Sequence, residues 1–119
     1  MRRNRAVVLA AVVVAFLAIF GYLVSRNTGG GGSSLAIDIT VAGSRMNPDT
    51  PRAKQGDRLT MTVTADRKEE VHLHGYDIAF AVPAASGRVT HSFTADRTGS
   101  FEIEVEDTGI HLGQLQVSP

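Results

Sequence analysis

From Leu35 to the C-terminus the chain alternates apolar and polar residues in short runs, and this period of two leaves little choice of fold. Side chains at i and i+2 share one face of a β-strand, so each run reads as a strand with one buried face. Ala36–Val41 turns Ile37, Ile39 and Val41 inward and Asp38 and Thr40 outward. Arg58–Thr64 does the same with Leu59, Met61 and Val63. A histidine-bearing run starts at Val71, and Ile78–Val82 follows it. Arg88–Thr94 puts Val89, His91 and Phe93 on one face. Phe101–Glu106 interleaves apolar residues with Glu102, Glu104 and Glu106, and Leu112–Val117 closes the chain with Leu115 and Val117 inward. Turn formers separate the runs: a loop from Gly43 to Gly56 with Pro48 and Pro51, the charged turn Asp66–Glu69, then Pro83–Gly87 and Asp96–Gly99. No stretch after Val24 carries a helical period. The pattern predicts an all-β domain over 35–119, an antiparallel Greek-key β-sandwich of seven strands.

The N-terminus is of another kind. Ala6 to Val24 is nineteen residues without a charge, close to the ~20 that cross a hydrocarbon core of ~30 Å. The apolar region of a signal peptide is shorter, roughly 7–15 residues. Arg2, Arg3 and Arg5 precede the run, and the positive-inside rule places them in the cytoplasm and the remainder outside. Residues 1–5 are thus read as a basic cytoplasmic tip, 6–24 as a single-pass transmembrane signal anchor and 25–34 as a flexible linker built around Gly29-Gly30-Gly31-Gly32-Ser33-Ser34. No A-x-A cleavage site follows the apolar run; a cleaved secretory signal, the alternative, would also put the domain outside the cytoplasmic membrane. The Gly-rich stretch is not a phosphate-binding loop, because no strand precedes it, no helix follows and no Gly-Lys-Ser/Thr ending is present.

Composition narrows the chemistry. Formal net charge is +0 over the whole chain, but residues 35–119 hold eight Lys and Arg against twelve Asp and Glu, a balance of −4. A nucleic-acid binder needs the opposite sign. Cysteine is absent, which excludes disulfides, thiolate metal sites, a lipoprotein anchor and a Cys nucleophile. No G-x-S-x-G elbow occurs and no triad is evident from strand spacing, so no enzyme activity is expected.

The residues that carry chemistry are in Val71-His72-Leu73-His74-Gly75-Tyr76-Asp77-Ile78. As a strand this segment points His72 and His74 to one face and Val71 and Leu73 to the other. Two imidazoles so placed can share a divalent ion if the strand bends, and Gly75 supplies the freedom to bend. The plainer alternative is a solvated strand face that carries two histidines.

The order of these features resembles the cupredoxin family. The closing hairpin runs Phe93-Thr94-Ala95-Asp96-Arg97-Thr98-Gly99-Ser100-Phe101, then a loop ending at His111, then Gly113-Gln114-Leu115-Gln116-Val117. With Val71–Ile78 included, the chain looks like the EfeO-type cupredoxin-like domains of bacterial envelope proteins. The resemblance covers 35–119. It implies a mid-domain histidine ligand at His74, the family's Cys position at Val105 and its axial Met position at His111, at the loop end of the sandwich. The family's second loop histidine is missing, with Thr108 or a neighbour in its place. Without Cys a blue-copper electron-transfer centre is impossible. What the resemblance leaves is a nitrogen and oxygen site of His74 and His111, joined by His72 and Glu106, with Asp77, Asp107 or Met46 as further candidate ligands. Such donors suit Cu(II) first by affinity order and Zn(II) next. The expected function is metal holding or delivery in the envelope, beside a metal-uptake system or another membrane protein. A metal-free module with a vestigial site that binds an envelope protein is the alternative. Among the remaining residues, His91 reads as half-buried and structural, Tyr76 as a packing residue with a bonded hydroxyl, and the Glu102–Glu104–Glu106 row as a solvated face.

Overall fold

The computed structural model describes residues 32–119; the expected cytoplasmic tip, transmembrane helix and most of the linker lie outside the described residues. Ser34–Pro119 forms one compact unit. It holds nine strands: β1 (Ser34–Ala42), β2 (Arg45–Asn47), β3 (Arg52–Lys54), β4 (Arg58–Ala65), β5 (Glu69–Leu73), β6 (Ile78–Val82), β7 (Arg88–Thr94), β8 (Gly99–Val105) and β9 (His111–Ser118). No helix occurs among the described residues.

The strands form two sheets, ordered β2-β1-β4-β7 and β3-β9-β8-β5-β6. The chain passes between sheets after β2, β3, β4, β6 and β7, an interlaced path rather than a meander. Alternation places the core as expected. Ile37, Ile39, Val41, Leu59, Met61 and Val63 face Val71, Leu73, Phe80, Ile103, Leu115 and Val117, and all are buried. Each such side chain contributes about 1.5–3 kcal/mol by leaving water.

Two expectations need correction. The Gly43–Gly56 loop contains β2 and β3, each with a single inward residue, Met46 and Ala53, flanked by exposed ones. Three residues are too few for a period to show. The sheets are also mixed: β1 pairs β4 in parallel from Ser34↔Arg58 to Val41↔Ala65, and β3 pairs β9 in parallel. Alternation fixes which face a residue takes and carries no information on strand direction.

Candidate metal centre

β5 ends at Leu73, but His74 stays in the ladder because its N–H donates to the Glu102 carbonyl at 2.9 Å. The turn that follows has Gly75 at φ 85° and Asp77 at φ 54°. A Cβ on Gly75 would lie 2.3 Å from Phe101 Cδ1, so this position excludes a side chain on two counts. Tyr76 packs its ring on Phe93 and Phe101, with centroids 5.2 and 4.7 Å away, and its hydroxyl donates to the Arg97 carbonyl at 2.9 Å. The Arg97 guanidinium lies over the Tyr76 ring and also donates to the Gly75 carbonyl. The turn is thereby fixed from both sides.

On the outer face of the five-stranded sheet, His72 pairs with Glu104 and Glu104 pairs with His111, across β5, β8 and β9. The His111 pairing depends on a register shift at Ile103/Glu104. Ile103 opposes Gly113, and Glu104 opposes His111 rather than Leu112. With the extra residue, Leu112 is buried and His111 joins the outer face. Strict alternation back from Val117 through Leu115 would have turned His111 inward.

Each imidazole meets a carboxylate. His72 Nε2 lies 3.0 Å from Asp77 Oδ1. His74 Nε2 lies 2.5 Å from Glu104 Oε1, and His111 Nδ1 lies 2.9 Å from Glu102 Oε2. An ionised carboxylate can only accept, so the ring nitrogens donate. The bond to Glu104 is the main reason the His74 pKa is raised above 6.5, reinforced by the charges of Glu104, Glu102 and Glu106 against a smaller opposing effect of burial. The bond from His111 is the main reason the Glu102 carboxyl is held below its usual 4.5.

Ligand atoms of His72, His74 and Glu104 all lie within 4.8 Å of one another. The two rings stand edge to face with centroids 4.5 Å apart. With Nε2 of His72 given to Asp77, its Nδ1 is buried and has no hydrogen-bond partner, although Glu106 Oε2 stands 3.5 Å away. An imidazole that donates one nitrogen to a carboxylate and leaves the other unsatisfied is arranged as metal-bound histidines are. The donor set of two imidazoles and a carboxylate suits Cu(II) or Zn(II).

The sequence-derived residues divide as follows. His72 and His74 come together. His111 reaches them only through Glu102, whose Oε1 lies 3.8 Å from His74 Nε2. Glu106 borders His72, and Asp77 bonds to it. Asp107 is exposed in the turn after β8, and Met46 is buried in β2. His91 is exposed rather than half-buried, with its ring edge-on to Phe80 at 5.0 Å. Glu104 and Glu102, read from sequence as a solvated face, are the carboxylates that touch His74 and His111. Their opposition to His72 and His74 comes from the pairing of β5 with β8, which the sequence does not state. The resemblance puts His74 and the Val105 position at one centre, and the structure separates them. Val105 pairs with Val71, and both are buried inside the sandwich, whereas His72 and His74 take the opposite face.

No protein-family model matches the chain, and no curated protein matches it in sequence. Solved structures do match its fold. The metal-binding domain of the Cu(I)-exporting P-type ATPase of Streptococcus pneumoniae, solved with Cu(I), superposes with TM-score 0.62 at 14% identity over 72% of this chain and 87% of that one. Auracyanin from Roseiflexus castenholzii, reduced with dithionite, gives 0.59 at 15% over 74% and 100%. A copper binding protein in its apo form gives 0.58 at 15% over 71% and 88%. These neighbours are cupredoxin-fold proteins, and residues 34–119 have the cupredoxin fold.

Proposed function

We propose that this chain is a membrane-anchored, extracytoplasmic cupredoxin-fold domain that binds a transition-metal ion, copper before zinc, and holds or delivers it. The observation that carries this reading is the His72–His74–Glu104 cluster, with ligand atoms within 4.8 Å and a buried His72 Nδ1 that lacks a hydrogen-bond partner. The copper named for two of the fold neighbours supports it. A bound ion would supply a positive charge to a face that carries Glu102, Glu104 and Glu106. It would compete with the hydrogen bond between His74 and Glu104 for the same donor atoms. With no Cys in the chain, blue-copper electron transfer does not enter. Membrane anchoring rests on Ala6–Val24, and an envelope metal-uptake protein is the partner class that the EfeO-type resemblance suggests.

One observation favours a second reading, a metal-free module that docks on another envelope protein. Each of the three imidazoles already has a carboxylate partner. Calorimetric titration of the full chain with Cu(II) and with Zn(II), beside His72→Ala/His74→Ala, separates the two. Metal handling requires a dissociation constant of about 1 μM or tighter in the wild type and at least a tenfold loss in the variant. Equal, weak binding by both proteins sinks the metal reading.

A further inference from the structure

The cluster at His72, His74 and Glu104 leaves one histidine of this face unused. His111 stands on β9, two strands from β5, and both His72 and His111 oppose Glu104 across the ladder. Adjacent strands are spaced about 4.8 Å, so the two backbones are roughly 10 Å apart. The ligand atoms that gather within 4.8 Å are those of His72, His74 and Glu104, and His111 is not among them. His111 instead meets Glu102 on β8, with Nδ1 2.9 Å from Oε2. The other oxygen of the same carboxylate, Oε1, lies 3.8 Å from His74 Nε2. Glu102 therefore has one oxygen toward each imidazole. Both His111 and Glu102 are about half exposed, with side-chain exposures of 56% and 45%, so an ion has open access there.

From this geometry we infer that the face holds two metal ions side by side: one on His72, His74 and Glu104, and a second on His111 and Glu102, with the Glu102 carboxylate bridging them. The inference rests on the metal-binding reading above. With Glu102 counted at both ions, the second site offers two protein ligands against four at the first, so it fills after the first, and its remaining positions stay open to water or to a donor from outside the chain. His111, placed on this face by the β8–β9 register shift, serves the second ion rather than completing the first.

The test is a titration of the full chain with Cu(II), followed by calorimetry and by electron paramagnetic resonance, in wild type, His111→Ala and His72→Ala/His74→Ala. Thermal melts check that each variant folds. The wild type is expected to take up two ions per chain. The spectrum should be that of isolated Cu(II) up to one equivalent, then lose intensity and broaden through spin coupling as the second is added. His111→Ala should bind one ion, with first-site affinity within threefold of wild type and no coupling. Wild type that saturates at one ion and is unchanged by His111→Ala overturns the second site and leaves the first intact. A single ion weakened tenfold by both variants overturns it too, since His111 would then ligate the first ion. Absence of saturable binding in the wild type overturns the metal reading and the second site together.

Discussion

At His74 a ring nitrogen and a Glu104 oxygen stand 2.5 Å apart, whereas Glu106, two residues along the same face, reaches only His72 Nδ1 at 3.5 Å. The two glutamates are alike in sequence and unlike in geometry. Glu104→Ala removes one of the three clustered ligands and should weaken Cu(II) binding about 10–100-fold, the range seen when a partner of a metal-bound histidine is lost. Glu106→Ala should weaken it less than threefold. Calorimetry on both variants checks the order, and the reverse order would move the site to the His72–Glu106 side. A third glutamate behaves differently again. The Glu69 side chain is 5% exposed, its Oε1 has no hydrogen-bond partner, and Arg67 Nε stands 3.5 Å from Oε2. Burial raises its pKa above 4.5, and the nearby Arg67 offsets this only in part. Because the folded state then holds the proton more tightly than the unfolded state, ionised Glu69 destabilises the fold. The penalty is absent below the unfolded value of 4.5 and complete above the raised folded value. Glu69→Gln should therefore melt higher than wild type at pH 7, by roughly 4–8 °C if about 1 kcal/mol is recovered. The difference should vanish at about pH 4. Melts of both proteins at the two pH values decide it; a gap that stays constant with pH would assign the effect to packing.

At the scale of single elements, the β5–β6 turn carries the site. Gly75 combines φ 85° with Phe101 Cδ1 lying 2.3 Å from where a Cβ would be. Gly75→Ala should destabilise the domain by about 1–3 kcal/mol, the usual range for a residue forced into sparsely populated backbone space. It should also weaken metal binding, because His74 is held by its N–H bond to the Glu102 carbonyl immediately before the turn. Urea denaturation measures the first effect and calorimetry the second; an unchanged urea midpoint would mean that the turn relaxes without strain. The same region shows what the sequence makes legible. Val71-His72-Leu73-His74 states its two faces outright, since strand parity needs no tertiary knowledge. The partners on that face are harder to read. Glu102 and Glu104 look like any acidic row until the pairing of β5 with β8 sets them opposite His74 and His72. His111 is harder still, because its facing depends on one extra residue at the Ile103/Glu104 shift, and a bulge leaves no trace in apolar alternation. Likewise β2 and β3 were hidden, each having one inward side chain and thus no repeat to count.

For the molecule as a whole, the decisive fact is that a sheet has two sides. The cupredoxin resemblance aligns His74 and Val105 as two ligands of one centre, but the structure sets them on opposite faces of the five-stranded sheet. Val105 is 8% exposed and packs in the sandwich core opposite Val71, while His74 turns outward to Glu104. A face cannot be exchanged without slipping the strand by one residue, which would expose Val71 and Leu73 together. Each of those is fully buried, so the slip would forfeit about 3–6 kcal/mol of apolar burial. Restoring the family's missing thiol therefore should not restore its copper chemistry. Val105→Cys removes little volume from the core and should fold. Loaded with Cu(II), it should show the same weak visible absorption as wild type, with no intense thiolate-to-copper band, because the sulfur and the His72–His74 pair are separated by the sheet itself. The metal affinity should be unchanged within threefold, and the new thiol should react with a thiol reagent only after denaturation. Visible spectroscopy of the loaded variant is the check. An intense blue band would show that His74 can reach the interior, and the outer-face site would then have to be abandoned.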